Sequence, residues 1–442
     1  MKKLTHPFKT HGGAHVPHHK NTGHLESVFM PIPQTVVIPM SQHIGAPCKP
    51  VVKRGDHVYV GQVVGETTGF VCAPVHASIS GKVKEIKQIM LTGGQMIDSV
   101  VIESDGLMEM HPDIKAPAEV KTKADLAKIA LDSGLVGLGG AGFPAHVKLN
   151  IPEGRKIDTL VINAAECEPY VTCDHREALE NGKNVMKGIC EVKKILDIDR
   201  VVIGVEDNKP DAIAELSRLA EETGDSSIEV MSLHAMYPQG AEKILIQAAT
   251  GRCVETGKLP SDVGCVVMNI GSVSFLDSYM ENGIPLIKKR ITVDGSAIKN
   301  PMNVIVPVGT LIKDVVEFTG GYKSEPKKII MGGPMMGVAI TSDEIPVIKQ
   351  NNGILCFDEK EAKLDEPSDC IRCGKCVQAC PMSLIPTNLE KYSILGKARE
   401  LIDLDIMTCM ECGCCSFTCP AGRRIVQSIR LGKSVVRKAG AK

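Results

Sequence analysis

Two stretches near the C-terminal end constrain the fold more than anything else in the chain. Cys370, Cys373, Cys376 and Cys380-Pro381 spell C-x2-C-x2-C-x3-C-P, and Cys409, Cys412, Cys415 and Cys419-Pro420 spell it again. This is the spacing of two-cluster bacterial ferredoxins, in which the fourth cysteine of each run ligates the cluster of the other. Two-residue gaps wrap a loop around one face of a cubane. The longer gap and the proline carry the chain away, so the last thiolate points toward the neighbour. The expected ligand sets are Cys370, Cys373, Cys376 and Cys419 for one [4Fe-4S] cluster, and Cys409, Cys412, Cys415 and Cys380 for the other. Cys414 falls outside the spacing and is expected to be spare. Zinc sites usually need only pairs of C-x2-C, so the doubled triple spacing argues against them.

The intervening "TNLEKYSILGKARELIDLDIM" reads as helical, with Leu389, Ile394, Leu395, Ala398, Leu401 and Ile402 recurring near a 3.6-residue period. Residues 356–442 are therefore expected to form an α-helical ferredoxin domain with a basic tail. That tail has seven Lys and Arg and no acid. It suits docking on an anionic surface as well as a solvated helix face whose Ile425, Val426 and Ile429 cover the cluster module.

The other eight of the 17 cysteines are scattered over the preceding residues and read as core. A formal net charge of −1 argues against a general nucleic-acid binder. No apolar run approaches the roughly 18 residues of a membrane span. The basic N-terminus lacks the apolar segment of a secretory signal, so a cytosolic protein is expected.

Ahead of the cysteines the pattern changes several times. Residues 1–30 are rich in His, Gly and Pro and read as an extended arm packed on a neighbour, with metal binding by the histidines as the other reading. Residues 31–105 carry short strands. Their pattern "GDHVYVGQVVGE … APVHASISGKVKEI" is similar to a biotinyl/lipoyl hammerhead, a barrel-sandwich hybrid. No Lys occurs between Lys53 and Lys82, so a swinging arm has no residue to carry it. Residues 115–282 alternate helices with buried strands, as in an α/β layer on a largely parallel sheet. One helix is expected over "REALENGKNVMKGICEVKKIL". Residues 283–345 read as a small β-grasp unit, and 346–369 as a loop-rich linker.

Within the α/β layer, "GLVGLGGAGFPAHVKL" is glycine-rich and ends in Lys148. Glycines let backbone N–H groups approach phosphate, and lysine supplies charge. By composition alone, a packing turn is a serious rival. "NAAECEPYVTCDHR" follows a strand and places Asn163, Glu166 and Glu168 at its carboxyl end, where open α/β sheets bind ligands. These residues could equally cap helices and form turns. "YPQGAEKILI" sets Gly240 and Glu242 at a helix start, and Asn269 follows another apolar strand.

Together these segments resemble the flavoprotein subunit of respiratory complex I. The resemblance implies that Gly139, Gly140, Gly142 and Lys148 cradle FMN. It places Phe143 and Glu166 or Glu168 near the nicotinamide of NADH, and Asn163, Gly240, Glu242 and Asn269 around both cofactors. With the hammerhead and the double cysteine run, nearly the whole chain resembles the C subunit of the Rnf ion-pumping electron-transport complex. That implies electron exchange between NAD(H), FMN and two [4Fe-4S] clusters, with hydride passing directly between rings and no side-chain acid or base required. It also implies a peripheral position on the cytoplasmic side of the membrane. Implied partners are the Rnf membrane subunits and a cluster-bearing subunit, with ferredoxin reached indirectly. Alternatives are a soluble NADH-dependent partner of proline reductase or cobalamin reduction, and an iron–sulfur relay without flavin.

Overall fold

The computed structural model describes residues 11–152 and 154–440; residues 1–10 of the expected arm, and residues 441 and 442 of the tail, lie outside the described residues. From residue 11 the arm runs extended and forms a short strand, β1 (Val28–Phe29). Seven strands follow: β2 (Thr35–Pro39), β3 (Lys49–Pro50), β4 (His57–Val58), β5 (Val63–Glu66), β6 (Val75–His76), β7 (Gly81–Met90) and β8 (Met96–Ser104). They form one antiparallel sheet, β2-β8-β7-β4, and a smaller one, β3-β5-β6. Val36, Ile38, Val58, Val64, Val75, Val83, Val100 and Ile102 fill the space between them. The β5–β6 loop, where a carrier domain bears its lysine, is docked: the Phe70 carbonyl lies 3.0 Å from His146 Nε2.

The α/β layer contains α1 (Lys123–Asp132), α2 (Ala145–Leu149), β9 (Thr159–Ala164), α3 (Cys173–Glu180), α4 (Gly182–Leu196), β10 (Arg200–Glu206), α5 (Pro210–Glu222), β11 (Ile228–Leu233), α6 (Glu242–Thr250), β12 (Cys265–Asn269) and α7 (Ile270–Asn282). Its sheet is wholly parallel, ordered β11-β10-β9-β12. Strands β9, β10 and β12 are near-continuous apolar runs because helices cover both faces. The single helix expected over 176–196 is two. Asn181 adopts a non-helical φ of −120°, and Gly182 faces Leu219 where a Cβ would stand 2.7 Å from its Cδ1. Weak helix formers at that point let packing against α5 decide the break.

The next unit has β13 (Lys288–Asp294), β14 (Met302–Pro307), α8 (Ile312–Phe318), β15 (Lys328–Met331), β16 (Val338–Ile340) and β17 (Gly353–Phe357). The expected linker over 346–369 is therefore wrong in its middle. Strand β17 is buried along its length and lies between β13 and β15 in the six-stranded sheet β1-β14-β13-β17-β15-β16. Five residues carry too little periodicity to separate a central strand from a loop. The arm adds the edge strand, pairing Val28 and Phe29 with Val304 and Ile305.

The last unit holds α9 (Glu359–Ala362), α10 (Lys375–Gln378), α11 (Pro386–Ile394), α12 (Ala398–Asp403), α13 (Cys414–Phe417) and α14 (Ile425–Lys438). The helix expected between the cysteine runs breaks at Gly396, whose φ of +64° is left-handed. Leu389 and Leu401 are buried, but Ile394, Leu395 and Ile402 are exposed because the break takes them off the inward face. Helix α14 turns Ile425, Val426 and Ile429 onto the module containing Cys380 and Cys415. Lys433 donates to Glu411 and to the Cys409 carbonyl, so part of the tail's charge is paired internally.

Candidate functional site

The glycine-rich loop lies at the carboxyl end of the parallel sheet. Its base is closed by the Gly137 N–H donating to the Phe143 carbonyl at 2.7 Å. Phe143 is half-buried, while Gly139, Gly140 and Ala141 are exposed and present bare backbone. A Cβ on Gly139 would stand 3.4 Å from Asn269 Nδ2, so the loop lies directly over the start of α7. Asn269 caps that helix, accepting the Gly271 N–H at 2.9 Å. Gly142 faces away from the open side. It is buried, with φ +66°, and a Cβ there would overlap Gln350 at 1.8 Å. Its carbonyl accepts the Ile44 N–H of the barrel-sandwich domain at 3.1 Å.

Asn163 and Asn269 are register partners on β9 and β12. Asn163 donates to the Gly240 carbonyl at 2.8 Å. Lys148 donates to the Val267 carbonyl at 3.3 Å and pairs with Glu242. The two glutamates expected near the nicotinamide both accept backbone N–H groups. Glu166, with φ +50°, accepts the Asp174 N–H at 2.6 Å and the His175 N–H at 3.2 Å. Glu168 accepts the Met335 and Met336 N–H groups at 3.0 and 2.8 Å, and burial raises its pKa. Both carboxylates are held by backbone, one at the start of α3 and one on the β15–β16 turn.

Two residues here carried no sequence signal. Lys20 of the arm is half-buried and donates to the carbonyls of Glu166, Glu168 and Val171 at 2.7, 2.8 and 2.6 Å, tying the loop together. Asp174 accepts from Asn269 at 2.6 Å, and its pKa is pushed up to about 7 by burial and by Glu166.

The two cysteine runs repeat one backbone pattern. Arg372 and Glu411 are left-handed, as are Gly374 and Gly413, each pair flanking the second cysteine of its run. This curls the loops so that N–H groups face sulfur: Glu411 N–H donates to Cys409 Sγ and Leu384 N–H to Cys380 Sγ, both at 3.4 Å. Cys380, Cys409, Cys412 and Cys415 line one cavity together with Cys414, floored by Leu389, Val426 and Ile429. The fourth cysteine of the first run thus joins three of the second. Cys376 and Cys419 both pack half-buried against the same apolar cluster, and Cys370 and Cys373 of the first run are exposed. Thiols converging on one cavity from both runs, with backbone donors, fit a [4Fe-4S] cluster.

The cavity borders the α/β layer. Cys412 and Cys414 pack with Tyr237, Ala14, Val16 and Ala379, flanked by Cys167 and Met335. Cys414 Sγ lies 3.8 Å from the Tyr237 carbonyl oxygen. The Tyr237 hydroxyl is buried with no hydrogen-bond partner among the described residues. The Gly240 N–H reaches Cys167 Sγ at 3.3 Å, completing packed contact from Asn163 to Cys412.

A glycine loop over the carboxyl end of a parallel sheet, joined through Tyr237 to paired cysteine sites, defines a flavin and iron–sulfur electron-transfer protein. Residues 8–107 match the RnfC barrel sandwich hybrid domain, and 130–277 the Nuo51 FMN-binding domain. Residues 290–339 match the SLBB domain, and 369–423 a 4Fe-4S dicluster domain. The chain belongs to the RnfC family, the C subunits of Rnf-type ion-translocating oxidoreductase complexes. It is 48% identical to the C subunit of the Na(+)-translocating ferredoxin:NAD(+) oxidoreductase complex of Acetobacterium woodii, over 96% of each chain. It is 44% identical to the proton-translocating counterpart of Clostridium ljungdahlii, over 97% of this chain and 94% of that one. The C subunit of the ion-translocating oxidoreductase complex of Rhodobacter capsulatus is 36% identical, over 97% of this chain and 84% of the relative. In fold it is similar to a chain of an NAD+-reducing [NiFe]-hydrogenase, with a TM-score of 0.51 at 16% identity, covering 72% of this chain and 63% of that one.

Proposed function

We propose that this chain is the peripheral component at which NAD(H) exchanges electrons with the iron–sulfur path of a ferredoxin:NAD+ oxidoreductase coupled to ion transport. FMN supplies exchange between a hydride and single electrons, which the two clusters carry one at a time. Gly139 and Gly140 leave the phosphate end unobstructed, and Lys148 brings a cation to it. Asn163 and Asn269 offer amides from neighbouring strands. Cys380, Cys409, Cys412 and Cys415 hold the cluster nearer the flavin. Cys370, Cys373, Cys376 and Cys419 hold the one nearer solvent. The observation that carries this reading is the packed junction at Tyr237, which joins the nucleotide end to the buried cysteine set and leaves the other set exposed.

The exposed set, with Ile371, Arg372 and Lys375 around it, suits a cluster-bearing partner through which ferredoxin is reached. No helix among the described residues is long and apolar enough to cross a membrane. Ion transport is therefore assigned to membrane subunits, with this chain docked on their cytoplasmic side. Anaerobic purification tests the reading. About eight irons and one FMN per chain are expected, with a flavin absorbance that NADH bleaches. Clusters without flavin, or flavin indifferent to NADH, would refute it.

A further inference from the structure

Lys288, Lys289 and Arg290 are successive cations at the start of β13, and strand alternation sends them to different places. Lys288 is exposed, and Arg290 pairs with Glu177 at 3.0 Å. Lys289 turns inward and is 6% exposed. Asp174 and Glu177 line the same cavity, but no carboxylate among the described residues forms an ion pair with it. Its ammonium donates instead to the backbone carbonyl of Leu138, in the glycine-rich loop, at 3.1 Å. Asn352, just before β17, reaches that carbonyl at 3.2 Å with its amide nitrogen turned toward it. Asn352 is fixed in turn by its own carbonyl, which accepts the Thr292 N–H of β13 at 2.9 Å. On the other side of Leu138, its N–H donates to Ser272 Oγ of α7 at 3.2 Å. A cation and an amide of the β-grasp unit thus converge on one peptide of the flavin domain.

A trans peptide is planar, so its C=O and N–H point in opposite directions. With the Leu138 carbonyl drawn inward to Lys289, the N–H of Gly139 is turned the other way, to the exposed side. Gly139, Gly140 and Ala141 are exposed, and their N–H groups have no protein partner among the described residues. Successive free N–H groups in a turn form an anion-binding concavity. We propose that Lys289 is a positioning residue for the flavin phosphate, holding the Leu138–Gly139 peptide so that its N–H faces the phosphate, with Asn352 as a second donor to the same carbonyl. The β-grasp unit then sets the affinity of a loop that belongs to another domain. Lys148 offers its charge to the phosphate directly, whereas Lys289 acts through a peptide. This rests on the proposed flavin site at the glycine loop.

The experiment compares FMN with riboflavin, which lacks the phosphate, on the full chain purified anaerobically with its clusters and stripped of flavin. Wild type, Lys289→Met, Lys289→Arg and Asn352→Ala are titrated by flavin fluorescence, while iron content and the urea midpoint report the fold. Lys289→Met is expected to raise the FMN dissociation constant about tenfold or more and to leave that of riboflavin within about twofold. Lys289→Arg keeps a cationic donor and is expected to recover most of the loss. Asn352→Ala is expected to weaken FMN selectively and by less. Equal weakening of FMN and riboflavin in Lys289→Met would reduce the lysine to a packing role and overturn the inference, as would unchanged FMN binding. Should Lys289→Met fail to fold, the FMN-to-riboflavin ratio in Asn352→Ala decides in the same way. A wild-type chain that binds no FMN would refute the proposed function and this inference with it. Wild-type binding with unmoved variants would refute this inference alone.

Discussion

Lys148 holds its ammonium 2.5 Å from a carboxylate oxygen of Glu242, across the carboxyl end of the parallel sheet. The lysine that ends the glycine-rich segment is therefore already paired. Both side chains are about one-third exposed, so the pair itself contributes little, about 0.5–1 kcal/mol. A phosphate can share Lys148 at low cost. Charge-assisted hydrogen bonds contribute about 1.5–3 kcal/mol. Lys148→Met is thus expected to weaken FMN binding about 10- to 100-fold, read by flavin fluorescence on the reconstituted chain. Glu242→Gln is expected to change it by less than about fivefold. Wild-type affinity in Lys148→Met would remove this lysine from the flavin site.

The two cysteine sets differ in exposure, which gives an order along the path. Cys412 is buried against Tyr237, and Cys373 is exposed. Cys373→Ser is expected to cost one cluster, leaving about four irons, while NADH still reduces flavin and the remaining cluster. Cys412→Ser is expected to cost the other, so that NADH bleaches flavin but the surviving cluster stays oxidised on the timescale of turnover. Rapid-mixing absorbance with EPR of frozen samples separates the two. Equal reduction of the surviving cluster in both variants would abolish the order.

The cysteine module was legible because turn geometry ties thiolate direction to spacing, and Cys380 of the first run lines one cavity with Cys409, Cys412, Cys414 and Cys415 of the second. The burial of Cys414 at the same cavity, against Tyr237, was not legible. Spacing says which thiols can reach a cubane, and nothing about what a neighbouring domain brings to the rest. Strand β17 and the break at Asn181 were missed for a related reason. Both are decided by packing partners distant in sequence, namely β13 and β15 for one and Leu219 for the other. Glu166 and Glu168 were placed at the correct strand end, but their φ values and backbone partners depend on the arm and on the β15–β16 turn. Gly142 stands in the glycine loop yet serves its anchoring to Gln350 and Ile44. Gly139 and Gly140 are the open positions.

Lys20 ties the N-terminal arm to the loop from Glu166 to Val171. Its three acceptors are backbone carbonyls, and no carboxylate among the described residues pairs with it. Removing the ammonium leaves three partly buried acceptors without a donor, each costing about 1 kcal/mol or more. Lys20→Met is expected to destabilise the flavin domain by about 3 kcal/mol or more and to lower flavin occupancy, with iron content unchanged. Denaturant unfolding followed by flavin release checks it. Stability within about 0.5 kcal/mol of wild type would mean that water replaces the lysine.

Asp174 makes stability depend on pH near neutrality. Its carboxyl faces Glu166, Glu177 and Lys289 and accepts from Asn269. Burial first, and then the Glu166 charge, raise its pKa from 3.8 to about 7. Between those values the folded chain keeps a proton that the unfolded chain has lost. Stability from this group is therefore full below about pH 4 and falls as pH rises toward and through 7. The shift corresponds to a loss on the order of 2–4 kcal/mol. Asp174→Asn keeps an oxygen for the Asn269 amide and cannot ionise. It is expected to match wild type near about pH 4 and to exceed it by a margin that grows up to about pH 7, with the slope between them reduced. Urea unfolding of both proteins at several pH values in that range measures the difference. Parallel curves would show that Asp174 stays ionised in the folded chain, held by Lys289 and Asn269 against the charge of Glu166.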